Sequence, residues 1–138
     1  MVFTFLKRPP IYGNSMLPCG EYNGYVGWTP DEGRLPVSWV GKHGKVKEGA
    51  ETLDDMVDVH GGITFDEVAS NNFEKKFPVE VALTDMPDSL EGCRIIGFDV
   101  CHFDDGPHHD EKWCSRETMG LYKQIVELLR KSALREKE

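Results

Sequence analysis

The C-terminal run SRETMGLYKQIVELLRKSALREKE, residues 115–138, constrains the fold more than any other stretch. Met119, Tyr122, Ile125, Val126, Leu129 and Ala133 recur at three- and four-residue steps and draw one apolar stripe along a helix. Ser115 is the expected N-cap, because its hydroxyl can accept an orphan amide proton. Glu117 suits the positive end of the helix dipole, and Arg130, Lys131 and Arg135 suit the negative end. Gly120 weakens the first turns by about 1 kcal/mol relative to Ala. A stripe of this length must be buried against a second layer.

That second layer reads as a sheet. Residues 24–29 (GYVGWT) form a first strand, ended by the turn-forming TPDEG, and residues 36–41 (PVSWVG) form a short second one. VDVHGGITF, residues 57–65, is a strand bent or ended by its glycines. PVEVALT, residues 78–84, alternates cleanly, with Val79, Val81 and Leu83 on one face. CRIIGFDVCHF, residues 93–103, returns as a strand antiparallel to it. The polar stretch before residue 57 reads as a loop with a helical turn near Thr52, and ASNNFEKKF as a second loop. The opening residues are rich in Pro and Gly and predict an irregular arm over 1–21. The expected fold is α+β: one domain, 1–138, with a small, mostly antiparallel sheet and one long C-terminal helix packed on one face.

Composition narrows the function classes. A chain of 138 residues can bury a core without disulfides or metals. Its net charge of -8 argues against capture of nucleic acid or of an anionic membrane, both of which need basic surface. No apolar run approaches the roughly 20 residues that cross a bilayer. The start, MVFTFLKRPP, lacks the form of a signal peptide. Cys19, Cys93, Cys101 and Cys114 show no CxxC spacing, so reduced thiols and a cytoplasmic setting are expected.

Within VDVHGGITF an imidazole and two glycines interrupt residues that suit a buried strand. Alternation turns Val57 and Val59 one way and Asp58 and His60 the other. In the later strand Ile96, Phe98 and Val100 face one way, and Ile95, Gly97, Asp99 and Cys101 the other. With the aliphatic faces under the helix, the opposite face collects Asp58, His60 and Asp99 around the small Gly97. His102 joins them where the strand ends or bulges near Cys101. Gly61 and Gly62 would let a ligand approach the backbone, and Thr64 adds a hydroxyl.

The patches DVHGGITF and IIGFDVCHFDD resemble a family of small, uncharacterised bacterial and phage proteins. The pattern reads HGG-[LI]-T-[YF], then GFD-x-x-H-x-x-D, and covers His60, Gly61, Gly62, Thr64, Asp99, His102 and Asp105. Cys101, Phe103 and Asp104 depart from the small residues and the Gly of the family pattern. The resemblance implies that His60, Asp99 and His102 form one site, with Asp105 beside it, and carries no defined activity.

His60, Asp99 and His102 are thus the candidate catalytic residues and the candidate metal ligands. Gly61, Gly62, Thr64 and Asp105 are the candidate ligand-binding residues. Two histidines and a carboxylate suit a divalent metal such as zinc. Without metal, a His–Asp pair can act as a base and its orienting partner. A second donor set, Cys101, His102, His108, His109 and Cys114, matches no zinc-module spacing, and Cys114 beside a helix start with His108 is a candidate nucleophile pair. The expectation is a small ligand, such as a nucleotide, held in a His/Asp pocket by a phage- or bacterial-type protein that antagonises host defence. The alternative is a metal-dependent, hydrolase-like enzyme. A host protein is the other partner considered, and whether turnover follows binding stays open.

Overall fold

A computed structural model of the chain describes residues 1–9, 19–35, 53–101 and 105–136. It is α+β. Five strands form one sheet in the order β3-β5-β2-β1-β4: β1 Val2–Lys7, β2 Asn23–Trp28, β3 Phe65–Val68, β4 Val81–Ala82 and β5 Arg94–Phe98. Every pairing is antiparallel. The helices are α1 Leu53–Met56, α2 Phe73–Lys76 and the long α3 Glu111–Glu136. α3 packs across β1 and β2. No helix among the described residues is long and apolar enough to cross a membrane.

The apolar stripe of α3 buries Cys114, Leu121, Ile125 and Leu129 against Leu6, Val26, Trp28, Ile96, Phe98 and Val100. Val59 and Ile63 close the same core. Val126, expected inside, is 39% exposed, because burial follows the line 114–121–125–129 and leaves residue 126 on its flank. The helix also starts earlier than expected. Asp110, not Ser115, caps it: its Oδ1 accepts from the Trp113 amide at 2.9 Å, and its carbonyl accepts from Cys114 N.

The other face of the sheet carries a second core rather than a polar site. Phe3, Phe5, Tyr25, Phe73 and Ile95 are buried there, with Phe65 and Phe77 packed against them. Tyr25 stacks on Phe5 at 5.1 Å between ring centroids and meets Phe77 edge-on at 5.0 Å. The Tyr25 ring lies over Gly97: a Cβ there would sit 2.5 Å from its Cδ1. The small residue expected to floor a His/Asp site therefore admits an aromatic ring.

Three strand expectations are corrected. The arm over 1–21 contains β1, whose Phe3, Phe5 and Leu6 are fully buried, so its Pro and Gly content applies only beyond the strand. Residues 57–64 are not a strand; regular pairing starts at Phe65. Residues 78–84 contribute only β4, which pairs with β1, while β5 pairs with β2 and β3. The strand expected at 36–41 lies outside the described residues. At the β3 edge, Arg94 clamps Asp66 with two hydrogen bonds of 3.0 and 2.8 Å and donates to the Leu35 carbonyl, a bidentate pair that ties β3 to β5.

Candidate functional site: a His–Asp–His cluster at the start of α3

His60 is delivered by a turn. The Gly62 amide donates to the Val59 carbonyl at 2.9 Å, and Gly61 and Gly62 take φ of 69° and 78°. Consecutive left-handed residues favour glycine, which explains why a strand-like run gives up two side chains. Side chains of neighbouring helices hold this turn. Glu117 Oε1 accepts from His60 N at 2.8 Å, and Asp54 Oδ1 accepts from Ile63 N at 2.7 Å. Gln124 accepts from Asp58 N and donates to Asp58 O, at 2.7 and 2.8 Å. The Thr64 amide then reaches the Gly97 carbonyl, and β3 begins.

Asp105 and His109 come from the connection between β5 and α3. The His109 amide donates to the Gly106 carbonyl at 2.9 Å, folding a turn immediately before the Asp110 cap. This turn places Asp105 and His109, four residues apart, on one side. Both are buried, with side chains 2% and 10% exposed, whereas the His60 side chain is 26% exposed.

The three side chains converge. His60 Nε2 lies 2.8 Å from Asp105 Oδ1, and His109 Nδ1 lies 3.6 Å from the same oxygen. One donor atom from each residue lies within 4.8 Å of the other two. The two imidazole rings are 5.0 Å apart, and the Trp113 indole packs edge-on against both, at 5.0 Å from His60 and 4.2 Å from His109. The Gly106 amide points at His109 Nδ1 from 3.4 Å. As the acceptor of that amide Nδ1 uses its lone pair, a contact that a metal on the same nitrogen would replace. Burial pushes the His109 imidazole below its ordinary value, and His108 adds to this; Asp105 and Glu117 oppose it.

Two imidazoles and one carboxylate form a donor set that zinc, iron and manganese accept. Three protein ligands would leave a position for water or substrate, and the His60 side chain is partly exposed to solvent.

The predicted residues are partly reassembled. His60 and Asp105 meet, and His109 joins them, although the sequence reading had set it only in a cysteine-containing zinc alternative. Asp99 is not one of the clustered donors; its Oδ1 accepts from Cys101 N at 3.2 Å. His102 lies outside the described residues. Thr64 is exposed and Gly61 forms the rim of the turn. The signal for His109 was its spacing from Asp105 immediately before a helix cap, and the early start of α3 hid it.

The cysteine expectations are corrected. Cys19 and Cys101 form a disulfide, with Cα atoms 4.3 Å apart. Because β2 and β5 are antiparallel neighbours, the chain entering β2 stays beside the chain leaving β5, as the 2.7 Å bond from Gly20 N to Val100 O shows. Thiol content therefore gives no argument for a cytoplasmic setting. Cys114 is fully buried, its thiol is pushed up by burial, and it donates to the His109 carbonyl, so it is not poised as a nucleophile. The disulfide removes Cys101 from the cysteine–histidine zinc set, and His102 of that set lies outside the described residues.

A cleft of about 520 Å³ lies at the opposite end of β2 and β5, lined by Trp28, Leu35, Asp66, Val68 and Arg94 among others. None of the candidate site residues lines it, and the Arg94–Asp66 ion pair occupies its charged wall. No protein family, no curated protein and no solved structure matches this chain.

Proposed function

We propose that the protein binds a divalent transition metal through His60, Asp105 and His109 and uses it to polarise a small substrate, in the manner of a metal-dependent hydrolase. The observation that carries this reading is the convergence of three donor atoms within 4.8 Å, two of them from buried side chains and one from a residue open to solvent. A metal held there would acidify a bound water and stabilise charge developing on an ester or phosphodiester oxygen. His60 Nε2 and Asp105 Oδ1, 2.8 Å apart, are close enough for both to reach one ion. The resemblance through the HGG-Ile-Thr and GFD patches supports His60 and Asp105 serving one site.

A second reading is supported by Trp113. Its half-buried indole walls the cluster and offers an aromatic surface against which the ring of a nucleotide-like ligand can pack. The same metal centre then holds a ligand without turning it over, as a protein that sequesters a host signal would.

The experiment is metal analysis of the purified protein, followed by cobalt(II) titration of the wild type and of His60→Ala, Asp105→Ala and His109→Ala. About one metal per chain is expected, with visible cobalt bands of low coordination number that are lost in each variant. A panel of esters and phosphodiesters then separates turnover from tight binding. A wild type that takes up no zinc, cobalt, iron or manganese would sink both readings.

A further inference from the structure

We propose that the Cys19–Cys101 disulfide is a redox latch that sets the metal affinity of the His60–Asp105–His109 centre; the inference rests on the metal-binding reading above.

Three successive residues, Cys19, Gly20 and Glu21, lie across both ends of the connection that carries Asp105 and His109. At its entrance Cys19 is bonded to Cys101, and Gly20 N donates to the Val100 carbonyl at 2.7 Å. At its exit Glu21 N donates to the His109 carbonyl at 2.8 Å, and Glu21 Oε2 accepts from Glu111 N at 3.3 Å. The contact is close. A Cβ on Gly20 would lie 2.7 Å from the Val100 Cβ and 2.8 Å from the His109 Cβ. The strap therefore fixes where the connection leaves β5 and where it delivers His109 to α3.

Only one of these ties is covalent. With the disulfide closed, the ends of the connection are held before a metal arrives, and ordering Asp105 and His109 adds little to the cost of binding. With it open, the entrance keeps non-covalent ties only, among them Gly20 N to the Val100 carbonyl and Val100 N to Asn23 Oδ1, and the donors must be ordered as the metal binds. Both bridging cysteines are half-buried rather than enclosed in the core. Cys93 and Cys114 are buried and free, and burial pushes both thiols up, so they take no part in exchange.

The reaction is thiol–disulfide exchange. A thiolate of an external dithiol attacks one bridging sulfur, giving a mixed disulfide and releasing the other cysteine as a thiolate. The second thiol of the reductant then displaces the remaining cysteine. Two electrons and two protons pass to Cys19 and Cys101, and the dithiol leaves as its own disulfide. A small-molecule disulfide reverses the step.

The test is zinc titration against a chromophoric chelator on three forms: the oxidised wild type, the wild type reduced by a phosphine, and Cys19→Ser/Cys101→Ser. Far-UV circular dichroism follows the fold, and alkylation with mass spectrometry counts the thiols. The reduced protein and the double variant should keep the α3 signal and bind zinc about 10- to 100-fold more weakly, the scale on which supports of metal ligands act. If the double variant fails to fold, the reduced wild type decides. Equal or tighter affinity without the disulfide overturns the latch and leaves the metal reading standing. Loss of the helical signal on reduction overturns it in favour of a purely structural bond. No zinc bound by any form removes the metal reading, and the latch with it.

Discussion

Gly62→Ala tests the turn that delivers His60. Gly62 has φ of 78°, and a Cβ built on it would sit 2.9 Å from Asp54 Oδ1, the oxygen that accepts from Ile63 N at 2.7 Å. An L-residue in the left-handed region costs about 1–2 kcal/mol. The Asp54 carboxylate must also move, which weakens a bond to a charged acceptor worth about 1.5–3 kcal/mol when intact. Losing part of that bond brings the expected total to about 3 kcal/mol. For a chain of this length the melting temperature should fall by roughly 10 °C. The two contributions separate in a double-mutant cycle followed by thermal melting. In an Asp54→Ala background, Gly62→Ala should cost only the backbone strain, about 1–2 kcal/mol. An unchanged melting temperature for Gly62→Ala would refute the left-handed turn. Equal costs in the two backgrounds would refute the Asp54 contact.

Three further outcomes are expected. Phe98→Ala should cost about 3–5 kcal/mol, since Phe98 is 1% exposed beneath α3, and a denaturant midpoint equal to wild type would contradict the core. Gly120→Ala should stabilise by about 1 kcal/mol, because Gly120 is exposed within α3 and a Cβ there meets nothing within 4 Å; any loss of stability would count against that placement. Burial lowers the folded-state His109 value below the unfolded one, so the unfolded chain takes up the proton first. Stability of the metal-free protein should be fully present above the unfolded value of about 6.5 and decline as pH falls through the folded one. His109→Gln should flatten that decline in melts from about pH 7.5 to about pH 5, and an identical slope would show that His109 is not the group responsible.

The fold class was legible because two patterns are written plainly: the steps of α3 and the apolar run of residues 95–98 that becomes the buried strand β5. What misled was local chemistry at boundaries. Ser115 resembles a cap, yet Asp110 takes that place because Trp113 and Cys114 have to lie inside the helix for Cys114 to reach the core. Val57 and Val59 resemble strand residues, but they pack as an irregular segment gripped by Glu117 and Gln124, contacts between residues distant in sequence. Alternation correctly places Ile96, Phe98 and Val100 under the helix. The reverse side around Gly97 is apolar instead of polar, because Phe3, Phe5, Phe65, Phe73 and Phe77 also need burial. A disulfide between cysteines 82 positions apart follows from the β2–β5 pairing, which no spacing rule contains.

The helix that dominates the sequence also organises the site. Its first turn fixes His109 and Trp113 through the Asp110 cap. Its second turn presents Glu117 to the backbone of His60, and a further two turns along Gln124 holds Asp58 from both sides. The polar flank of α3 is therefore a template for the segment carrying His60, while its apolar flank is buried on the sheet. Docking α3 brings together two chain segments separated by 45 residues, His60 and Asp105. The site thus depends on the register of α3 against β1 and β2. A shift of one helical turn, about 5.4 Å, exceeds the whole 4.8 Å spread of the three donors, so the centre can exist only where the core packing is right.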